Sequence, residues 1–234
     1  MAGYIGMPML GLIYDVHGNL PALEAVLADA REAGAERFLL GGDFCLFGAW
    51  PAETVERLRG LDADWIRGNG ERWTASPEDA PEPVRGAIAA CRELLGSGLV
   101  AELEALPETL ERDGTLFCHG SPRSDVLSFL PEPAPADMEL LGKVTARRLV
   151  FGHTHLQFSR TTPEGLELVN PGSVGMPCDR DHRAAWALVH ADGAVEPRRV
   201  AYDHEASARA VRERLGEHGD LPARRIEQAR FDAA

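Results

Sequence analysis

The sequence predicts a layered α/β fold, and two observations carry that expectation. The first third of the chain alternates short apolar runs with amphipathic stretches in β-α-β-α-β order, the pattern of a sheet covered by helices. Polar, glycine-containing clusters then follow the apolar runs, at the strand ends where such sheets place ligands. With 234 residues there is room for one substantial domain and little for a second. We therefore expect residues 1–234 to form one domain, closed by C-terminal helices over 204–231.

Each element has its own signal. Met9–Tyr14 is a short apolar run bounded by DVHGN, consistent with a fully buried strand. Pro21–Glu32 has apolar positions at helical spacing, with Pro in its first turn and Gly34 just past its end. Arg37–Leu40 predicts a second strand ended by GGD, Pro51–Arg59 a second helix, and Asp64–Ile66 a third strand before RGNGER. The acidic, proline-rich 75–83 segment reads as a surface loop, and Val84–Leu95 and Leu99–Leu106 as helices. Thr109–Glu111 and Thr115–His119 flank a DG turn, and PEPAPAD at 131–137 reads as another loop. Beyond it Arg148–Phe151, Gln157–Thr161, Leu166–Asn170, Ala184–His190 and Val195–Val200 predict strands with short turns. His204–Glu217 and Pro222–Phe231 are charged amphipathic helices.

Composition narrows the function classes. Hydrophobic residues make up 44% and charged residues 26%, a globular profile. No run approaches the roughly 18 consecutive apolar residues of a membrane span. The apolar start, MAGYIGMPMLGLIY, has no basic residue before Arg31, and Asp15 and His17 follow it at once. It reads as a buried strand rather than a signal sequence, which points to the cytoplasm. Four cysteines without CxxC spacing are too few for a disulfide framework, so reduced thiols are expected. A net charge of −13 argues against an extended nucleic-acid or anionic-membrane surface. A phosphate-handling site would need its own local positive charge.

Five clusters then stand out: Asp15-Val16-His17-Gly18-Asn19, Gly41-Gly42-Asp43, Gly68-Asn69-Gly70-Glu71, Cys118-His119-Gly120-Ser121 and Gly152-His153-Thr154-His155. Singly, each has a plainer reading: a turn with Asn19 capping the next helix, a glycine turn, a hairpin edge. Together, in one structural context, they fit a metal site. Two divalent ions about 3.5–4 Å apart can clamp a phosphoryl group and activate a bridging hydroxide. Such a site takes carboxylate oxygen and imidazole nitrogen, with one carboxylate shared. At i, i+2 in extended geometry Asp15 and His17 project to one side, as do His153 and His155, and Asp43 is the natural bridge.

These residues resemble the calcineurin-like metallophosphoesterases, whose pattern is DxH, GD, GNH followed by Asp or Glu, a His, and GHxH. Here it reads DVH, GGD, GNGE, CHG and GHTH in that order over residues 15–155. The later NPGSVGMPCDRDHRAAWALV is similar to the small single-domain bacterial and archaeal branch of that family. The resemblance implies a four-layer α/β/β/α sandwich of two mixed sheets. One metal would take Asp15, His17 and His155, the other Asn69, His119 and His153, with Asp43 bridging. Mn, Fe, Zn or Co suit that ligand set, Mn being favoured. His190, His204 and His218 lie outside the pattern and read as structural or surface residues.

One position departs from the pattern. Gly70 stands where many family members carry the histidine taken as the acid for the leaving oxygen, while the acidic residue after it, Glu71, remains. General acid catalysis contributes about 10²–10⁴-fold. Its loss matters most for alkoxide leaving groups and least for nitrophenolate or a phosphate chain. Glu71 and His182, in the CDRDHR loop, are the remaining catalytic candidates, and Arg72 and Asn19 the candidate substrate contacts. Arg67, Arg123, Arg180 and Arg183 also flank the loops and could grip phosphate oxygens. Cys45, Cys118 and Cys178 read as packing residues.

The leading expectation is a metal-dependent phosphoesterase acting on phosphodiesters or small phosphorylated metabolites. Phosphoprotein phosphatase and nucleotide-polyphosphate hydrolase activity also fit the resemblance. A competing class is a metal-binding interaction scaffold, since the family includes a retromer subunit that serves as a platform. A scaffold has no reason to keep seven ligand positions, so an enzyme is favoured. Substrate and oligomeric state are left open.

Overall fold

The protein is described by a computed structural model covering residues 8–232, so Met1–Met7 of the apolar start lie outside the described residues. In chain order the elements are β1 (Leu10–Ile13), α1 (Leu20–Glu32), β2 (Arg37–Leu40), α2 (Pro51–Arg59), β3 (Ala63–Trp65), α3 (Asn69–Ala75) and α4 (Arg85–Glu104). They continue with β4 (Thr109–Arg112), β5 (Thr115–Cys118), α5 (Asp137–Leu141), β6 (Arg148–Val150), β7 (Gln157–Thr161) and β8 (Glu167–Pro171). The last are β9 (Ala184–Val189), β10 (Val195–Val200), α6 (His204–Leu215) and α7 (Asp220–Gln228).

The strands form two mixed five-stranded sheets, ordered β10-β9-β1-β2-β3 and β4-β5-β6-β8-β7. In the first, β1, β2 and β3 run parallel, β9 pairs antiparallel with β1, and β10 pairs antiparallel with β9. In the second, β5, β6 and β8 run parallel between antiparallel edges. The continuous apolar runs of β1 and β2 follow from burial on both faces. Leu12, Tyr14 and Leu39 alternate toward Phe117, Val150 and Val169 of the facing sheet. Ile13, Phe38 and Leu40 alternate toward the helices.

The expected four-layer α/β/β/α order is present, with unequal outer layers. Residues of α1, α2, α4, α6 and α7 pack in the core on the first sheet. The second sheet's outer face is covered by Phe129 and by Leu141 of the short α5. The two helices expected over 84–106 are the two halves of α4, which meet at a kink at Gly96, where φ is 74°. One difference from the sequence reading concerns α3, which begins inside RGNGER, where a ligand-bearing loop after the third strand was expected: Glu71 at its third position reaches back to accept the Gly68 N–H at 2.8 Å. That places Asn69 on the first turn of a helix.

Candidate metal centre

The carboxyl ends of β1, β2, β3, β5 and β6 bring the five clusters to one place between the sheets. The DVH and GDF loops run as a ladder: Asp15 N donates to Gly42 O (3.1 Å), His17 N to Asp43 O (2.9 Å) and Gly18 N to Phe44 O (2.7 Å). Gly152 N donates to His119 O at 2.7 Å, which ties the GHTH loop to the CHG loop. The i, i+2 pairing of Asp15 with His17 and of His153 with His155 does not arise from extended backbone. All four residues, and Asp43, have positive φ between 49° and 67°. Non-glycine residues adopt that left-handed region only where surroundings hold them, at about 1–3 kcal/mol each, and such strain clusters at functional sites.

The hydrogen bonds behind the imidazoles fix which nitrogens face inward. His17 Nδ1 donates to Leu46 O (2.8 Å), His155 Nδ1 to Met176 O (2.6 Å) and His119 Nδ1 to Gly41 O (2.9 Å). A carbonyl only accepts, so in the neutral form of each ring Nδ1 holds the proton and Nε2 the lone pair. His17 Nε2 and His155 Nε2 then face each other at 3.0 Å, with no proton between them in the neutral rings. Asp15 Oδ1 is buried without a hydrogen-bond partner among the described residues and lies 3.4 Å from His155 Nε2 and 3.8 Å from His119 Nε2. Asp43 Oδ1 lies 3.4 Å from His119 Nε2, and its Oδ2 3.9 Å from His17 Nε2.

Two groups of potential ligands follow, Asp15 with His17 and His155, and Asp15 with Asp43 and His119, each spanning no more than 4.8 Å. The Asn69 amide adjoins the second group, one of its terminal atoms lying 2.9 Å from His153 Nδ1 and 3.1 Å from His119 Nε2. With nitrogen there the amide donates to both rings; with oxygen there three lone pairs meet at one point. Orphaned buried oxygen and facing lone pairs are what a cation resolves. The donor set fits a metal.

The charges agree. Asp15, Asp43 and Glu71 are buried together. Burial, with Glu71 and Asp15 nearby, pushes the Asp43 carboxyl up to about 7 despite the opposing pull of His119. Burial raises Asp15 too, but His155, His119 and His17 around it hold it below the usual carboxylate range. Burial, with His155 facing it, draws His17 down to about 3, and burial, with His119 nearby, draws His153 down to about 4. Both rings are thus neutral near pH 7, with lone pairs available.

The other expected residues serve the loops. Glu71 accepts from Asp43 N (2.9 Å), Phe44 N (2.8 Å) and Gly68 N (2.8 Å), so its carboxylate pins the GGD loop to the start of α3 and has no imidazole to orient. Asn19 caps α1 through Ala22 N (3.4 Å), donates to Gly175 O (2.8 Å) and accepts from Ser207 Oγ (3.0 Å). Its amide is committed to the fold rather than offered to a substrate. His182 is held through Nε2 against Glu227 O (2.8 Å) and stacks on His204 (4.3 Å), away from the cleft-lining residues. Arg72 lines the cleft but is forked onto Asp125 at 2.7 and 2.8 Å. Arg67 and Arg183 pair with Glu108 and Asp181. Burial raises the thiols of Cys45 and Cys118, consistent with packing.

The NPGSVGMP segment acts as a strap over the first loop. Ser173 Oγ donates to Asp15 O (2.8 Å), Gly175 N donates to the same carbonyl (3.0 Å), and Val174 N donates to Tyr14 O (3.1 Å). Asn170 donates to Gly152 O at 3.0 Å, so the segment braces GHTH as well. Beside the centre opens a cleft of about 530 Å³, lined by His17, Asp43, Asn69, His153 and His155 and also by Leu221 and Arg225 of α7. Among its residues that the sequence reading does not single out are Phe47, whose φ is 74°, Trp73, and Arg225 of α7. No motif marks them, because none lies at the end of a strand.

Comparison with known proteins agrees with this geometry. Residues 9–194 match the family model of the calcineurin-like phosphoesterase superfamily domain. The chain is 28% identical to the uncharacterized protein MJ0912 of Methanocaldococcus jannaschii, across 89% of this chain and 94% of that one. A metallophosphoesterase from Sphaerobacter thermophilus superposes with a TM-score of 0.82 at 27% identity, covering 95% of this chain and 99% of the other. The hypothetical protein PH1004 from Pyrococcus horikoshii OT3 shares the fold, with a TM-score of 0.79 at 23% identity over 92% and 96% of the two chains. The chain belongs to the calcineurin-like phosphoesterase superfamily and is a metal-dependent phosphoester hydrolase.

Proposed function

We propose that the chain hydrolyses phosphodiesters or small phosphorylated metabolites with two divalent ions, one held by Asp15, His17 and His155, the other by Asn69, His119 and His153, with Asp43 between them. The observation that carries this reading is the convergence of His17, His155 and His119 Nε2 on two buried carboxylates, one of whose oxygens has no hydrogen-bond partner among the described residues. Two such ions would supply Lewis-acid activation of the phosphoryl group and of the attacking water. Mn²⁺ is the favoured ion for this mixed oxygen and nitrogen set. The chain's own part is orientation: carbonyl contacts behind His17, His119 and His155 fix their tautomers, and Glu71 and the NPGS strap hold the loops at their strained φ.

In this reading the site lacks the usual acid. Gly70 offers only its N–H, which donates to Asp43 Oδ1 at 2.6 Å, and Glu71 is bonded to three backbone N–H groups. Hydrolysis should then depend steeply on leaving-group pKa. The test strips the protein of metal, restores Mn²⁺, and compares diesters releasing nitrophenolate with diesters releasing an alkyl alcohol. Fast nitrophenyl turnover with alkyl turnover lower by about 10²-fold or more supports the reading. Comparable turnover of both would overturn the missing-acid part, and no turnover of either would overturn the whole. Adding the histidine is not a simple rescue here. A Cβ at Gly70 would stand 2.7 Å from Asp43 Oδ1, so Gly70→His must displace the proposed bridging carboxylate.

A further inference from the structure

We infer that the cleft beside the metal centre is a subsite for a phosphate ester carrying an aromatic group, with Arg225 the cation that meets its phosphoryl oxygens and Phe47, Trp73 and Leu221 the wall that holds its ring. The inference rests on the proposed function, since it places the ester's phosphorus at the metal end of the same cleft. Three observations carry it, and each concerns a residue that no strand-end motif includes.

The first is charge. Two arginines line the cleft. Arg72 is neutralised by the fork to Asp125, with Asp79 at 3.5 Å beyond it. Arg225 has no ion pair among the described residues; it donates through Nε to Phe231 O (3.1 Å) and lies over the Phe231 ring at 4.1 Å. Burial pulls its pKa below the ordinary arginine value, and no carboxylate opposes that pull. A half-buried cation without an anion, facing a cavity, is incomplete in the protein alone. A phosphoryl oxygen would complete it, and the remaining guanidinium nitrogens have the fork geometry for that contact.

The second is shape and polarity. At about 530 Å³ the cleft holds far more than a phosphate group. Apart from the candidate metal ligands, Arg72, Arg225 and Asp79, its lining is apolar and includes Phe47, Trp73, Val84, Leu221 and the exposed Phe231. Trp73 Nε1 is buried without an acceptor among the described residues. A phosphomonoester of a small polyol would leave this wall wet, whereas an aromatic ester group would cover it.

The third is strain. Phe47 is bulky, yet its φ is 74°, and its ring stacks beside His17 at 5.8 Å and 29°. A bulky residue in the left-handed region is an outlier that the surroundings must enforce. Here it sets an aromatic face against a proposed metal ligand, where the ester substituent would enter.

Arg225 also pins the C-terminal segment through Phe231, so the test must separate ligand contact from packing. The Mn²⁺-loaded protein is titrated calorimetrically with phenylphosphonate and with methylphosphonate, and kcat and KM are measured for thymidine 5′-(4-nitrophenyl) phosphate and methyl 4-nitrophenyl phosphate. These two esters share a leaving group, so a difference reports the other substituent. The expected result is phenylphosphonate binding tighter by about tenfold or more, matched by a lower KM for the thymidine ester. Arg225→Gln should weaken both phosphonates about tenfold or more, and Arg225→Lys should recover part of the loss. Leu221→Ser should narrow the phenyl-to-methyl ratio, and it carries the test if Arg225→Gln melts early. Equal affinity for the two phosphonates, unchanged by Arg225→Gln, overturns the inference whether or not any ester is hydrolysed. Discrimination in binding without turnover of any ester keeps the subsite and overturns the proposed function. Turnover without discrimination does the reverse.

Discussion

Replacing Glu71 by Gln separates a brace from a catalyst. The wild-type carboxylate accepts three backbone N–H groups at 2.8–2.9 Å, two on Oε2 and one on Oε1, from two different loops. Glutamine can keep its oxygen on Asp43 N and Gly68 N, but its amide nitrogen then faces the Phe44 N–H, donor against donor. Two charge-assisted bonds become neutral ones, each losing about 1 kcal/mol, and one buried N–H is left unsatisfied at about 1–3 kcal/mol. The sum is about 3–5 kcal/mol.

In a chain of this size each kcal/mol moves Tm by about 2–4 °C, so the metal-free variant should melt about 6–20 °C below the wild type. Its affinity for Mn²⁺ should fall about 10–100-fold, the usual effect of losing a group that orients metal ligands. Scanning calorimetry and metal titration, both without substrate, read these directly. If Glu71→Gln melted within about 2 °C of the wild type and bound Mn²⁺ equally well, the brace would be refuted. A loss of alkyl-ester turnover alone would then return Glu71 to the role of proton donor.

Other outcomes follow from the same contacts. Removing metal with a chelator should lower Tm, and restoring Mn²⁺ at about a hundred times its Kd should recover about 2.7 kcal/mol, read by calorimetry. Gly42→Ala should abolish metal binding, because φ there is +91° and the new Cβ would stand 2.5 Å from Gly68 N, prising the GGD loop from the GNGE loop; isothermal titration checks it. Arg198 holds the Asp29 carboxyl below its ordinary pKa through two contacts at 2.9 Å, assisted by Trp186. A lowered carboxyl pKa stabilises the fold above the unfolded value near 4 and ceases to do so as pH falls through the folded one. Arg198→Gln should therefore lower Tm at pH 7 by about 2–6 °C and have little effect near pH 2, in melts across that range.

What was legible in the sequence follows from where the information lies. Strand ends in an α/β sheet are fixed points, so the DVH, GGD, GNGE, CHG and GHTH clusters could be placed before any coordinates, and the structure brings them together. The four-layer order came with the motif pattern, and Gln157–Thr161 and Val195–Val200 were read to the residue. The reason for the i, i+2 pairing was not legible, because left-handed backbone at Asp15, His17, His153 and His155 is imposed by loop-to-loop hydrogen bonds and not by local propensity. The first turn of α3 was hidden because glycine and asparagine score as turn formers, while the stabilising contact comes from Glu71 three residues on. Arg225 was invisible for a different reason. It reaches the cleft because α7, packed against α6, brings it beside Phe47, Trp73 and Val84, an arrangement with no signal in local sequence.

The strain at the centre links metal binding to the fold itself. Five proposed ligand residues in the left-handed region represent roughly 5–15 kcal/mol at about 1–3 kcal/mol apiece, comparable to the whole stability of a typical domain. The protein part of the compensation is visible as the backbone ladder from Asp15 to Phe44, the Glu71 brace and the Ser173 and Gly175 contacts to Asp15 O. Those contacts fix the backbone but leave Asp15 Oδ1 and the His17 and His155 Nε2 atoms crowded at one point. In the proposed function, cations would supply the remaining compensation. It follows that metal should protect these loops more than the rest of the sheet. Amide hydrogen exchange tests this: on adding Mn²⁺, the largest slowing should fall at Asp15, His17, Asp43 and His153, with little change at Leu188 in β9. Uniform slowing across the sheets would instead mean that metal only raises global stability, and that the loops hold their strained shape without it.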